Sequence, residues 1–381
     1  MMKSSSAAPS APDSERPSSA EAVAALLAQG RRVRPVGGAT KLQWGAPGLE
    51  PELEISTAGL DRLIEHNVSD LGAGLAFGRV QAAFASRGQR LSLDPPDGAG
   101  RSTIGGIVAT GDSGPMRHRY GGVRDLILGV RVALPDGTVS RSGSKVIKNV
   151  AGYDLAKLMC GALGTLGIVC EVTVRLHPLP AGSVTALGRA MDPGRLADAA
   201  TAVGRLPLEL ESLDLRWDGP AAGGALLARA AGMTAAATAD AARAAMVQAG
   251  LEVESVTDDE ALWSEQRERQ RSPDGDDCAI VRVSTVPREL GRVLAAAPSA
   301  IARAGLGLAW VRVDARPEAL AELRRALAPA PCVLLDAPAA MRAAVDPWGV
   351  GEGPELALAR RVKQRFDPTS VCNAGRFVGG L

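Results

Sequence analysis

Apolar residues recur along this chain in two rhythms, and the change from one to the other marks out its elements. The first stretch, MMKSSSAAPSAPDSERPS, follows neither; Ser, Pro and Ala dominate it, and residues 1–18 read as a disordered tail. In SSAEAVAALLAQGR, helical spacing, a serine cap and an early glutamate predict a helix that ends at Gly30. RRVRPVGGATK reads as a short strand running into a glycine-rich turn. LDRLIEH and RVQAAFASRGQRL predict two further small helices, the second stopped by Gly88. DLILGVRVALPDGTVSRSG holds two β-rich runs joined at Pro135-Asp136-Gly137, a hairpin whose turn needs the positive φ that Gly137 supplies. DLAKLMCGALGTLGIVCEVTVRLHPLP then carries a helix, a tight turn and a long strand ending at Pro178.

After Pro180 the pattern shifts. Residues 181–345 are rich in Ala, Leu and Arg, and helices such as TAAATADAARAAMVQAG alternate with strands such as CAIVRVST and LAWVRVDA. This predicts a separate α+β domain. Residues 346–381 close the chain with a helix and a glycine-rich tail, and no repeat of 20–50 residues is present. A length of 381 residues with 46% hydrophobic and 22% charged side chains suits about two soluble domains with real cores. A net charge of +1 makes no global electrostatic case for nucleic acid or an acidic membrane. No apolar signal core or run of 18 apolar residues occurs, so a cytoplasmic protein is expected, reaching a membrane only through partners.

The chemistry narrows by absence. Histidine occurs only as His66, His118 and His177, so residues 178–381 offer no imidazole base or ligand. Five cysteines without C-x-x-C spacing argue against a disulfide framework, an iron–sulfur cluster or a zinc site, and no metal is expected. Cys160 and Cys170 flank one turn and read as buried, inert thiols rather than a redox pair. Arginine outnumbers lysine 37 to 6, a compositional bias that gives the six lysines more interest than the arginines.

Glycine concentrates in PVGGATK, STIGGIVATGDSG, GGVRD and GALGTLGI. Such turns let backbone N–H groups approach a ligand and form concave anion sites suited to a pyrophosphate. Taken singly, each is equally well a tight turn; several in one domain point to a large phosphate-bearing cofactor. GAGLAFG mimics a dinucleotide fingerprint, but its last spacing is one residue too long and no β-rich strand precedes it. No segment ends in the Gly-Lys-Ser/Thr of a P-loop.

The order of LDPP, TIGG, IKNVAGYDLAKLM, GALGTLGI and FDPTSVCNAGRF resembles the flavoprotein family of vanillyl-alcohol oxidase and p-cresol methylhydroxylase (PCMH). Within it, the run from VRDLILGVRV to RLHPLP closely resembles the FAD-binding subunit of glycolate oxidase. The resemblance implies an α+β architecture. A two-subdomain PCMH-type FAD-binding domain would span residues 19–180, a smaller α+β cap residues 181–345, and a segment returning to the FAD domain residues 346–381. It implies that Pro35, Val36, Gly37, Gly38, Ala39, Thr40 and Lys41 wrap the FAD pyrophosphate. Pro96, Thr103, Ile104, Gly105 and Gly106 would line flavin and ribityl; Thr110, Ser113 and Gly114 would add contacts there; Ile168 would bond the adenine side. The loop reads GGATK where the family has three consecutive glycines, so Ala39 must adopt an unusual backbone, and DLGAGLAFGRV is shorter than the family's second strand. With no His or Cys beside that loop, noncovalent FAD is expected; His66 and His118 read as surface or loop residues.

In catalytic relatives the second domain brings histidines for metal and base; here it has none, and Leu163 stands where they carry glutamate. The resemblance therefore implies one flavoprotein subunit of a complex that oxidises glycolate, a 2-hydroxy acid, to glyoxylate. Its partners would be a homologous catalytic flavoprotein and an iron–sulfur subunit. A self-sufficient D-lactate-like dehydrogenase using Lys148, Tyr153 or Arg376 stays open, as does a non-catalytic flavin-binding scaffold.

Overall fold

The computed structural model describes residues 11–65, 69–143, 154–272 and 277–381. Val33–Val36 and Leu53–Ser56 pair in parallel, and helix Ala20–Leu27 lays Val23, Ala24 and Leu27 on Leu53 and Ile55. Ser19 caps that helix, its Oγ accepting from the Ala22 amide at 3.1 Å. Asp13–Glu15 adds a third strand, in parallel register with Leu53–Ile55. This corrects the tail expected over residues 1–18, of which residues 1–10 lie outside the described residues. Three exposed residues carry no periodicity; what orders them is tertiary, through the ladder and an ion pair of 2.5 Å between Asp13 and Arg31.

A five-stranded antiparallel sheet follows, with Ile168–Val174 at its centre. The expected hairpin forms between Ile127–Ala133 and Val139–Gly143, and Gly137 takes φ +83° in its turn. LDRLIEH is not a helix: Leu63–Glu65 is a strand that pairs with Ser69–Gly72. A seven-residue segment holds helix poorly by itself, and the sheet edge takes its amides instead. Helix Phe77–Ala85 forms as expected and buries Phe77, Val80 and Phe84.

Eight antiparallel strands between Ser183 and Asp336 build the large second sheet. The period-2 pattern of Cys278–Ser284 divides its faces. Ala279, Val281 and Val283 enter a core shared with helices Pro193–Gly204, Ala235–Gln248, Leu290–Ala296 and Pro317–Leu327. Ile280 turns the other way, onto Trp44, Trp310 and Leu335. This second face meets the N-terminal half through Trp44, while helix Glu260–Glu268 covers another part of it by packing Trp263 on Leu187, Ala225 and Leu227.

Helix Pro354–Phe366 brings the chain back. Val362 and Phe366 pack on the first antiparallel sheet's core, and Cys372 bridges Val33. The buried Lys363 Nζ fastens the return by donating to Asp367 Oδ2 (2.6 Å), Thr165 O (2.7 Å) and Cys372 O (3.2 Å).

The two halves meet at Asp336, whose side chain is fully buried. Its oxygens accept from Trp44 Nε1 (2.8 Å), Gln43 Nε2 (3.4 Å), Arg271 Nε (2.7 Å) and the Ser272 amide (3.0 Å). Nearby, Arg303 and Asp214 pair at 2.5 Å with both side chains fully buried. Removing one partner of a buried pair strands the other charge, so Asp336→Ala should lower unfolding free energy by about 3–5 kcal/mol in urea titration.

Asp94 supplies a pH signature. Burial pushes its carboxyl up to about 7, helped by the charge of Asp214, although Arg267, Arg303 and the Met116 amide oppose the shift. The folded state thus keeps a proton that the unfolded chain releases near pH 4. Stability from this group should be full below about pH 4 and lost as pH rises toward 7. Asp94→Asn should flatten that fall in a series of denaturation curves across this range.

Candidate functional site

A cleft holding about 960 Å3 of open space lies between the turn after Val33–Val36, helix Ile104–Thr110 and the turn before Ile168–Val174. Close loop approach shapes it: a Cβ on Gly37 would sit 2.5 Å from Thr103 Oγ1, and one on Gly38 1.6 Å from the Arg101 carbonyl oxygen. Ala39 takes φ +56°, the unusual backbone that its place in GGATK foretells. Among the described residues, no amide from Gly37 to Lys41 donates to a protein acceptor, which leaves a run of free N–H groups on the cleft wall.

The charged side chains on that wall are Arg34, Lys41 and Arg376, with no carboxylate among them. Arg34 pairs with Glu54, and Lys41 Nζ lies 2.9 Å from Asp112 in a buried ion pair. Arg376 donates to the Ala46 carbonyl at 3.0 Å; burial, then Arg342 and Arg34, bring its guanidinium down to about 10. The far end is closed by Leu163, which has φ +52° and whose carbonyl accepts from Asn373 Nδ2 at 2.7 Å.

The sequence-predicted residues divide cleanly. Pro35, Gly37, Gly38, Ala39, Thr40, Lys41, Thr103, Gly105, Gly106, Thr110 and Ile168 share the cleft wall, and so does Arg376. Five others are placed off it. Val36 is a strand residue whose carbonyl accepts from Thr57, and Ile104 is buried in the core. The Pro96 carbonyl accepts from Ser102 Oγ at 3.2 Å, and the Ser113 carbonyl from Gln270 Nε2 at 3.0 Å. Gly114 packs on the Asp94 carbonyl, 1.8 Å from where a Cβ would stand. Lys148, Tyr153 and His66 lie outside the described residues. His118 packs beside Gly305 and His177 on Tyr120 (centroids 4.7 Å apart); neither lines the cleft. Burial pushes the Cys160 and Cys170 thiols up to about 12, as expected of inert cysteines.

A second cavity adjoins the cleft, sharing Trp44, Thr110 and Leu163 with it. Arg117 and Arg282 line this cavity, and sequence reasoning missed both. The only sequence signal was arginine itself, submerged among 37. No group of three or more His, Cys, Asp or Glu among the described residues is placed to hold a metal.

Free amides, a glycine-enforced close approach and a wall without carboxylates together fit a pyrophosphate-bridged cofactor. Residues 15–143 match the FAD binding domain family. Glycolate oxidase subunit GlcE of Escherichia coli is 43% identical over 106 residues, 28% of this chain and 30% of that protein. A D-lactate dehydrogenase of Archaeoglobus fulgidus is 35% identical over 170 residues, 43% of this chain and 38% of that one. The matched segments thus span about a third of the length of these curated relatives. Alkyldihydroxyacetonephosphate synthase shares the fold at TM-score 0.70 and 15% identity, covering 95% of this chain and 77% of its own. Chitooligosaccharide oxidase does so at TM-score 0.66 and 15% identity, covering 94% and 89%. The chain contains a PCMH-type FAD-binding domain, and FAD is its cofactor.

Two neighbouring substitutions should therefore separate. Gly38→Ala forces backbone movement and should yield protein without bound flavin absorbance. Ala39→Gly relieves the left-handed strain and should retain flavin while gaining up to about 1 kcal/mol of stability by chemical denaturation.

Proposed function

On an FAD-binding domain joined to a second half without histidine, we propose a partner flavoprotein subunit of a glycolate oxidase-type complex. The observation that carries this reading is the empty chemistry of residues 178–381, taken with the similarity to a glycolate oxidase subunit. Oxidising a 2-hydroxy acid requires a base of near-neutral pKa to take the hydroxyl proton and a cation for the carboxylate. This chain offers arginines but no second-domain imidazole, so the base is assigned to a homologous catalytic flavoprotein.

Bound FAD supplies two-electron acceptance. The residues of this chain would bind and orient it noncovalently: the amides of Gly37–Lys41 would hold the pyrophosphate, and Thr103, Gly105, Gly106 and Thr110 would face its ribityl side. Ile168 would meet its adenine end. The Lys41–Asp112 pair keeps the loop cation neutralised within the protein, so recognition relies on backbone donors. Cysteines held as thiols give electrons no internal relay, and an iron–sulfur subunit is the proposed acceptor. No helix among the described residues is long and apolar enough to cross a membrane, so contact with one would come through that partner.

A self-sufficient 2-hydroxy-acid dehydrogenase is the second reading, favoured by the arginine-lined cavity beside the cleft. Purification of this chain alone and with its co-expressed partners decides between them. The expected result is a yellow chain that is inactive on glycolate and D-lactate with an artificial acceptor, and active once the partners are added. Robust turnover by the chain alone would overturn the subunit reading in favour of the second.

A further inference from the structure

Arg282 lies on strand Cys278–Ser284, where its neighbours Val281 and Val283 enter the helix-covered core. The alternation turns Arg282 to the opposite face, onto the cavity that adjoins the flavin cleft. Its Nε is buried and has no hydrogen-bond partner among the described residues. Arg117, on another wall of the same cavity, donates to Ser113 Oγ at 3.3 Å.

Carboxylates are outnumbered here: Asp125 acts through space on Arg117, but among the described residues no carboxylate forms an ion pair with Arg117 or Arg282. The charged residues lining the cavity are Arg117, Arg124 and Arg282 against Asp125 alone, and Asp125 Oδ2 is engaged by the Gly122 amide at 2.8 Å. Asp112 acts on both arginines through space but is already in the 2.9 Å ion pair with Lys41. Burial lowers both guanidinium pKa values; the charge of Arg117 lowers that of Arg282 further, and the charge of Arg303 lowers that of Arg117. Desolvated cations with unused donors are unfavourable unless an anion completes them. A planar carboxylate matches the fork of a guanidinium, two N–H donors to two oxygens. Trp44, Trp348, Val333 and Leu335 supply an apolar wall for the rest of a small molecule.

We propose that Arg117 and Arg282 together bind the carboxylate of a small organic acid in the cavity beside the flavin cleft. The inference rests on the 2-hydroxy-acid reading for the identity of the acid, whereas the demand for an anion comes from the arginine pair itself. This chain then contributes a substrate-type pocket of its own, beyond holding a cofactor for a partner.

Oxalate, a planar carboxylate that this chemistry does not oxidise at a hydroxyl carbon, is the probe, with ethylene glycol as its uncharged counterpart. Each is titrated into the full chain, both flavin-loaded and flavin-free. Tryptophan fluorescence reports through Trp44 and Trp348, and flavin absorption reports from the neighbouring cleft. Saturable oxalate binding is expected, at least tenfold tighter than ethylene glycol. Arg117→Met and Arg282→Met should each weaken it at least tenfold, Arg282→Lys by less, and Arg189→Met, at an exposed pair with Glu254, not at all. Circular dichroism identifies any variant that fails to fold, and Arg282→Lys then carries the comparison. Unchanged oxalate affinity in the folded methionine variants, or affinity no better than that of ethylene glycol, overturns the proposal. So does loss of flavin from Arg282→Met with oxalate affinity intact in the flavin-free form, which reassigns the guanidinium to the cofactor. A colourless chain that binds oxalate through these arginines would sink the flavoprotein reading and leave the anion pocket standing. A yellow chain indifferent to oxalate would do the reverse.

Discussion

One carboxylate with no access to water holds the two halves of this molecule in register. Asp336, at the end of an edge strand of the large sheet, gathers donors from the Gln43–Trp44 turn and from Arg271–Ser272. Inside a low-dielectric junction such a network is strong when complete and damaging when a member is lost. Arg271 extends it by donating from Nη2 to the Thr40 carbonyl at 2.8 Å, within the glycine-rich loop itself. The shape of the cofactor loop is therefore not a property of residues 15–143 alone. It depends on a strand that lies some three hundred residues later in the chain.

The same junction divides charge between two adjoining spaces. In the cleft, Arg34 and Lys41 are neutralised by Glu54 and Asp112, and the free donors are backbone amides. In the neighbouring cavity the donors are three guanidiniums facing one carboxylate, Asp125. A net charge of +1 averages over both and describes neither. A diphosphate and a carboxylate thus meet different chemistries within one continuous pocket system.

What the sequence made legible was local. The hairpin at Gly137, the Ser19-capped helix and the glycine-rich loop each carry their instructions within a dozen residues, and each formed as expected. Asp13–Glu15 and Leu63–Glu65 were misread because their partners, not their own propensities, decide their state. Within the site, Thr103, Gly105 and Gly106 reach the wall because close packing demands small residues there, a demand visible in TIGG. Ser113 and Gly114 sit next to the same motif in sequence but are consumed by contacts with Gln270 and Asp94. Arg282 was invisible because what singles it out is a missing partner, and no sequence pattern records a missing partner.

The return of the chain has a consequence for how the protein comes into being. Asn373 and Arg376 complete the wall of a cleft whose first wall residue is Arg34. At bacterial-like translation speeds of about 5–20 residues per second, these two sides emerge from the ribosome roughly 20–70 s apart. Throughout that interval the glycine loop exists without its closing wall, and the Lys363 clamp that seats the returning segment has not been made. The cleft is thus completed in time as well as in space: until Arg376 has been made, its two walls cannot face each other.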